Sequence, residues 1–370
     1  MITHWLARNI SQRSRLFFGL VRFGMTRQPR PLIANLFITE RCNARCLYCY
    51  VADVNRPDGT PETQRRMSGP EWLDLIDRLI DRGVRYFTLV GGEPMVSPDC
   101  ATIIDHLYRR NVFFNLTTNG SLVPKQLDLV RKASQLTISL DGDEAANDAL
   151  RGAGWHARAM KAIDAAISAG VPVRINTVVT KANRDQIGSI VALCEDRNLF
   201  VTFSPCIDAP EFRQAETRKW MLDDKDVKAF FTDLLAWKRR TNRIMNSDVS
   251  IQYMIDYPTD FERVVMRDDP EAGYYEAPCT YGRIQYHFNE FGEVFPCGIW
   301  WNRPDYAAKT VFDGGLDMAI ANASDRPCQY CSFCNRVDWD EMTRPRSLLK
   351  GIDMTVRQAL GARSNLTAKD

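Results

Sequence analysis

The sequence predicts an α/β protein: a curved, partly open barrel of six strand–helix units, followed by a small cysteine-rich β-hairpin module. Three observations carry this. From residue 32 to about 240, short apolar runs alternate with segments of helical periodicity, the pattern of parallel strands joined by helical crossovers. Six such units are too few to close an eight-fold barrel. Past residue 278, runs 282–288 and 293–295 flank Asn289-Glu-Phe-Gly292, a hairpin signal with Cys279 and Cys297 on either side.

Taken in order, residues 32–38 read as the first strand. Ser68-Gly-Pro-Glu71 is a capping box that opens a helix with Trp72, Leu73, Leu75, Ile76, Leu79 and Ile80 on its apolar face. Strands follow at 84–90, 112–117, 136–140, 171–179 and 200–204. Helices are expected at 101–110, 123–131, 157–169 (ended by Gly170), 186–197 and 223–239. The chain divides into an N-terminal helix (1–30), the barrel (31–240), a connection (241–278), the cysteine-rich module (279–345) and a tail (346–370). Residues 1–30 hold six arginines and no acid, with Leu16, Phe17, Leu20, Val21 and Phe23 at roughly helical spacing. Such a basic amphipathic helix either lies on an anionic membrane surface or packs on the barrel.

Composition excludes some classes. A 370-residue chain of 45% hydrophobic and 25% charged residues is globular, and a net charge of +2 gives no argument for nucleic acid. Eleven cysteines without a secretory signal point to a reducing compartment and to metal rather than disulfides. No apolar run is long enough to span a bilayer. The expectation is a cytoplasmic protein, with residues 1–30 a candidate for peripheral contact at the inner membrane surface.

The chemistry starts in the loop after the first strand. Cys42, Cys46 and Cys49 stand in a C-x3-C-x2-C pattern, flanked by Tyr48 and Tyr50. Three thiolates this close converge on one metal centre, and a four-iron cubane would keep one iron open. A zinc site more often wants a fourth protein ligand. Gly91-Gly92-Glu93-Pro94 follows the second strand. Its glycines let backbone approach a ligand, and Glu93 offers a carboxylate to an ammonium group. Thr117-Thr-Asn-Gly120, Ser139-Leu-Asp-Gly142 and residues 176–183 end later strands. Their small polar groups suit either a bound nucleoside or helix caps and turns.

A strand, C-x3-C-x2-C with an aromatic before the third cysteine, and then Gly-Gly-Glu together resemble the radical SAM superfamily. The resemblance spans roughly residues 32–335. It implies a three-quarter (β/α)6, TIM-like barrel and a [4Fe–4S] cluster on Cys42, Cys46 and Cys49. S-adenosylmethionine (SAM) would chelate the open iron, with Gly91, Gly92 and Glu93 at its amino group. It also implies Ser139 and Asp141 near the ribose, Asn176 and Arg151 near the methionine carboxylate, and Tyr48 and Asn119 among the cofactor-binding residues. The implied enzyme reductively cleaves SAM, fed by a donor such as flavodoxin or ferredoxin. The resulting 5′-deoxyadenosyl radical takes hydrogen from an unactivated carbon. Cys206 is then a hydrogen-atom donor or a packed thiol.

Cys279-x12-Gly292-x4-Cys297 is similar to the opening of the auxiliary-cluster domain in the SPASM/twitch branch of that superfamily. The chain then departs from the SPASM pattern, with only Cys328, Cys331 and Cys334 spaced C-x2-C-x2-C. Five cysteines cannot saturate two cubanes, so one auxiliary [4Fe–4S] cluster is expected. Its ligands would be Cys279, Cys297, Cys328 and Cys331, with Cys334 replacing one of them or free; zinc is the alternative occupant. Residues 1–30 are too few for the N-terminal peptide-recognition domain of many peptide-modifying relatives. The substrate expected is therefore lipid-like or another small metabolite. A peptide or protein substrate is the alternative, and a non-catalytic iron–sulfur or zinc protein is the reading from a different class.

Overall fold

The computed structural model describes residues 2–49, 65–206, 217–274, 279–301 and 306–344. Tyr50 and the expected tail at 346–370 lie outside them. Helix α1 (Ile2–Thr26) precedes strand β1 (Ile33–Phe37). The alternation continues through α2 (Gly69–Arg82), β2 (Tyr86–Val90), α3 (Cys100–Arg109), β3 (Phe113–Thr118), α4 (Leu127–Val130) and β4 (Gln135–Ser139). Two helices, α5 (Glu144–Arg151) and α6 (Trp155–Ser168), lead to β5 (Val173–Val179). Then come α7 (Ile187–Asp196), β6 (Phe200–Pro205), α8 (Asp224–Lys238) and α9 (Asp248–Ile255). Strands β1 to β6 pair in parallel, each with the next. This is the expected partial barrel.

Local chemistry sets the elements. The Ser68 N–H donates to the Glu71 carboxylate at 2.8 Å, and Gly83 ends α2 at φ 108°. Ala34, Leu36, Phe87, Leu89, Phe114 and Leu116 alternate toward the helices, where they meet Trp72, Leu75, Ile76 and Leu79 in the main core. The helix expected over 123–131 is broken. A single 3-10 turn (Val123–Lys125) precedes α4, because Gln126 leaves helical geometry at φ −125°, ψ 35°. Two helices of this part have no counterpart in the sequence reading, nor do the two C-terminal helices described below. Helix α5 is capped by Asp143, which accepts from the Ala146 N–H, and α9 by Ser247, which accepts from the Ser250 N–H.

The C-terminal part comprises β7 (Val265–Met266), β8 (Gln285–Asn289), β9 (Glu293–Phe295), β10 (Lys309–Thr310), α10 (Leu316–Ser324), β11 (Cys328–Tyr330) and α11 (Cys334–Met342). The hairpin of β8 and β9 is present, but it does not stand apart. Strand β8 pairs in parallel with β1, so one nine-stranded sheet runs β10-β9-β8-β1-β2-β3-β4-β5-β6. Helix α11 ties this region to the barrel: Asn335 donates to the Ser204 hydroxyl, and Trp339 packs edge-on against Tyr86.

Helix α1 packs on the starts of the strands. Leu20 and Phe23 are buried with Leu32, Ile33 and Ile284, and Gln12 donates to the Val112 carbonyl at 2.9 Å. Of the two expectations for this segment, the packed one describes its buried apolar face. No described helix is long and apolar enough to cross a membrane. Phe23→Ala is expected to cost about 3–5 kcal/mol of stability. A denaturation midpoint unchanged from wild type would contradict this packing role.

Candidate active site

The cysteine loop is fastened on three sides. At the end of β2, the Gly92 N–H donates to Thr39 O and the Glu93 N–H to Arg41 O, both at 2.8 Å. The glycines are needed for this contact. A Cβ on Gly91 would stand 2.2 Å from Thr39 O, and one on Gly92 would stand 2.4 Å from both Glu40 O and Arg41 O. At the end of β3, Asn119 donates to the Asn43 side chain at 2.8 Å and lies 3.9 Å from Cys42 Sγ. On the third side, the Leu47 N–H donates to Leu150 O, and Arg151 Nη1 lies 3.8 Å from Cys46 Sγ.

Glu93 is fully buried. It accepts from the Thr118 hydroxyl at 2.8 Å and from the backbone N–H groups of Asn119 and Met95. Burial pushes its carboxyl up to about 7, against the pull of those donors. Among the described residues no cationic side chain pairs with it. Burial also pushes the Cys42 thiol up to about 12, and that of Cys46 to about 11 while Arg151 pulls the other way. Such thiols stay protonated at neutral pH until a metal displaces the proton.

The remaining predicted residues divide into two groups. Asp141 is fully buried and does not present a free carboxylate to a ribose. It accepts from Arg151 Nε at 2.6 Å, from the Tyr48 hydroxyl at 2.5 Å and from the Val178 N–H at 3.0 Å. The triad of Tyr48, Asp141 and Arg151 instead fixes the far end of the cysteine loop. Ser139 and Asn176 face each other in the β4–β5 register, half-buried at the strand ends. Cys206 follows β6, 7% exposed, and packs with Tyr48, Leu150 and Met221.

Inside the barrel, the residues that alternate with the core positions form a polar band at mid-strand, bounded by apolar or aromatic Ile33, Phe37, Tyr86, Val90, Phe113, Val178 and Phe200 on the same face. Asn35, Thr88, Asn115, Thr137, Asn176 and Thr202 occupy this inner face, and His287 lies opposite Asn35. Thr137 donates to Asn115 at 2.8 Å, and Arg174 donates to Thr137 at 3.1 Å. His287 stacks on Phe37 and lies beside Tyr281, yet neither of its ring nitrogens has a hydrogen-bond partner among the described residues. Burial lowers its pKa to about 3 and keeps it neutral. Sequence reasoning missed His287. Its alternation with Tyr286 and Phe288 was the available signal.

Four C-terminal cysteines come together. Cys279, Cys297, Cys328 and Cys331 line one pocket with Trp300 and Arg326. Cys334 does not join them. It is fully buried in the main core at the start of α11, its Sγ 4.0 Å from Phe203 O, because the helix turns its side chain toward β6. Among the described residues no three Cys, His, Asp or Glu side chains close on a single ion. Four sulfurs on one zinc would stand within about 4 Å of one another.

A rim of strand ends carrying three loop cysteines and a buried carboxylate defines an iron–sulfur enzyme of the open-barrel type. The Radical SAM superfamily model matches residues 36–194. The chain is 32% identical over 298 residues to the mycofactocin maturase MftC of Mycobacterium ulcerans (strain Agy99), covering 79% of this chain and 75% of that one. It belongs to the radical SAM superfamily. It is also 30% identical over 163 residues to the PqqA peptide cyclase of Streptomyces rochei, a match spanning 43% of either chain. Among solved structures, Streptococcus suis SuiB bound to precursor peptide SuiA superimposes with a TM-score of 0.62 at 18% identity, covering 83% of this chain and 67% of that one. That likeness shows the shared fold.

The family's cluster and SAM fit the residues present. Three thiols with no disulfide partner share one loop, and Glu93 is a buried carboxylate without a cationic partner among the described residues. Cys334→Ala is expected to leave the iron content of the reconstituted protein unchanged, whereas Cys297→Ala removes the iron held by the C-terminal set. Loss of iron in both variants would contradict the division of the five cysteines.

Proposed function

We propose that this radical SAM enzyme modifies a peptide or protein substrate inside the barrel. This reading replaces the expected lipid-like or small-metabolite substrate. The observation that carries it is the polar inner face of Asn35, Thr88, Asn115, Thr137, Asn176 and Thr202, with His287. A lipid chain would leave unpaired those amides and hydroxyls that do not already bond one another, at a cost for each buried group. Peptide groups match them, since each amide brings one donor and one acceptor. Neutral His287 likewise offers one of each. MftC, a maturase, and PqqA peptide cyclase are relatives, and SuiB has been solved with a precursor peptide; all three support the reading. The packed face of α1 removes the argument that pointed to a membrane-borne substrate.

In this account Cys42, Cys46 and Cys49 hold the [4Fe–4S] cluster, and Glu93 receives the amino group of SAM. Bound there, SAM with the cluster and one electron from an external reductant would supply radical chemistry for hydrogen abstraction from an unactivated carbon. The protein's own part is placement. Thr118 and the Asn119 N–H aim the Glu93 carboxylate, and Arg151, held by Asp141, fixes the loop beside Cys46. Ser139, at the end of β4, and Asn176, opposite it in β5, would contact the nucleoside of SAM. Phe37 stacks on His287 and packs edge-on against Trp301, which stacks on Phe295, walling this end of the interior. Cys279, Cys297, Cys328 and Cys331 hold one auxiliary [4Fe–4S] cluster, and Cys206 serves packing.

The test uses anaerobically reconstituted enzyme with SAM and dithionite, reading 5′-deoxyadenosine. Macromolecular and organic-extract fractions of the native host are added separately. Stimulation several-fold above the uncoupled rate is expected from the macromolecular fraction, and protease treatment should abolish it. Stimulation confined to the organic extract, or resistant to protease, would overturn the peptide reading.

A further inference from the structure

Arg326 is 5% exposed and stands two residues before Cys328. Its guanidinium is fully used. Nε donates to Tyr281 O at 2.8 Å and Nη2 to Cys279 O at 2.9 Å, while Nη1 donates at 2.9 Å to both the carbonyl and the Sγ of Cys328. The backbone is shaped to admit it. Gly282 adopts φ +72°, and a Cβ there would meet Ala323 O at 2.9 Å and Arg326 Nε at 3.1 Å. The indole N–H of Trp300 lies 3.4 Å from the same Cys328 Sγ.

The charge of Arg326 has no carboxylate partner among the described residues. The neighbouring buried arginine, Arg336, pairs with Asp340 at 2.6 Å. A buried guanidinium without an acid is costly unless an anion lies beside it. In the pocket it lines, the guanidinium donates directly to the Cys328 sulfur and the Cys279 carbonyl.

We propose that Arg326, with Trp300, hydrogen-bonds the sulfur of the ligand Cys328 and raises the reduction potential of the auxiliary cluster. The inference rests on the auxiliary-cluster reading above. A cluster that accepts one electron becomes more negative by one charge. A fixed cation and N–H donors on a ligand sulfur stabilise that reduced state more than the oxidised one. Cys328 receives both donors, so the effect enters the cluster through this ligand.

The test is a redox titration followed by electron paramagnetic resonance. The full chain carries Cys42→Ala, Cys46→Ala and Cys49→Ala, so only auxiliary iron contributes, and it is reconstituted anaerobically. Adding Arg326→Gln should lower the ratio of reduced to oxidised cluster at fixed potential at least tenfold, a shift of about 59 mV to more negative potential for one electron. Trp300→Phe should shift it less, in the same direction. Arg326→Lys keeps the charge but not the four contacts, and should fall between parent and Gln. Where Arg326→Gln fails to load iron, the Lys and Phe variants decide: a parent-like potential in both overturns the inference. So does a parent-like potential in a loaded Arg326→Gln variant. A parent without iron overturns the auxiliary-cluster reading and this inference with it.

Discussion

The site depends on one close backbone contact. Residues 91–93 lie directly on the carbonyls of residues 39–41, at a distance only glycine permits. This contact docks the start of the cysteine loop against the end of β2. It also fixes where Glu93 emerges, because its own N–H is one of the bonds. The Glu93 carboxylate is then locked by Thr118 and Asn119 from β3 and the turn after it. Two neighbouring strand ends and the loop thus form one rigid unit. A side chain at either glycine would push the loop away and displace the carboxylate together with the thiols.

Much of this was legible in the sequence, because the signals are local. The C-x3-C-x2-C spacing, the Ser68–Glu71 capping box and the Asn289–Gly292 turn each act within a few residues. The strand–helix alternation gave the barrel for the same reason. What escaped was short or long-range. Helices α5 and α9 have eight residues each, and charged or mixed composition hides their periodicity. The parallel pairing of β8 with β1 joins residues some 250 positions apart, which no local pattern encodes. Cys334 shares its spacing motif with Cys331, yet the start of α11 turns it into the main core. Asp141 and Arg151 were expected near the cofactor from their order along the chain, and their contacts with Tyr48 are long-range. The fold pairs them with each other and with Tyr48.

The substrate inference moved for a physical reason. The basic, apolar N-terminal segment suggested a membrane when read alone. In the structure its apolar face is spent on Leu32, Ile33 and Ile284. The strands place amides, hydroxyls and an unpartnered imidazole toward the barrel interior, an environment suited to a polar chain with its own donors and acceptors. The two cysteine sets lie on either side of this interior. Phe37 belongs to the strand that feeds the cysteine loop, Tyr281 belongs to the C-terminal cysteine cluster, and His287 touches both rings.

With both cysteine sets occupied as proposed, the chain would carry two iron–sulfur cubanes, one on the barrel loop and one beside the hairpin. The most direct measurement is iron and sulfide content with Mössbauer spectra. It compares anaerobically reconstituted wild type with the Cys42, Cys46 and Cys49 triple alanine variant. The account predicts about eight irons per chain falling to about four, both as [4Fe–4S]. About four irons falling to none would contradict it, because the C-terminal cysteines would then hold no cluster.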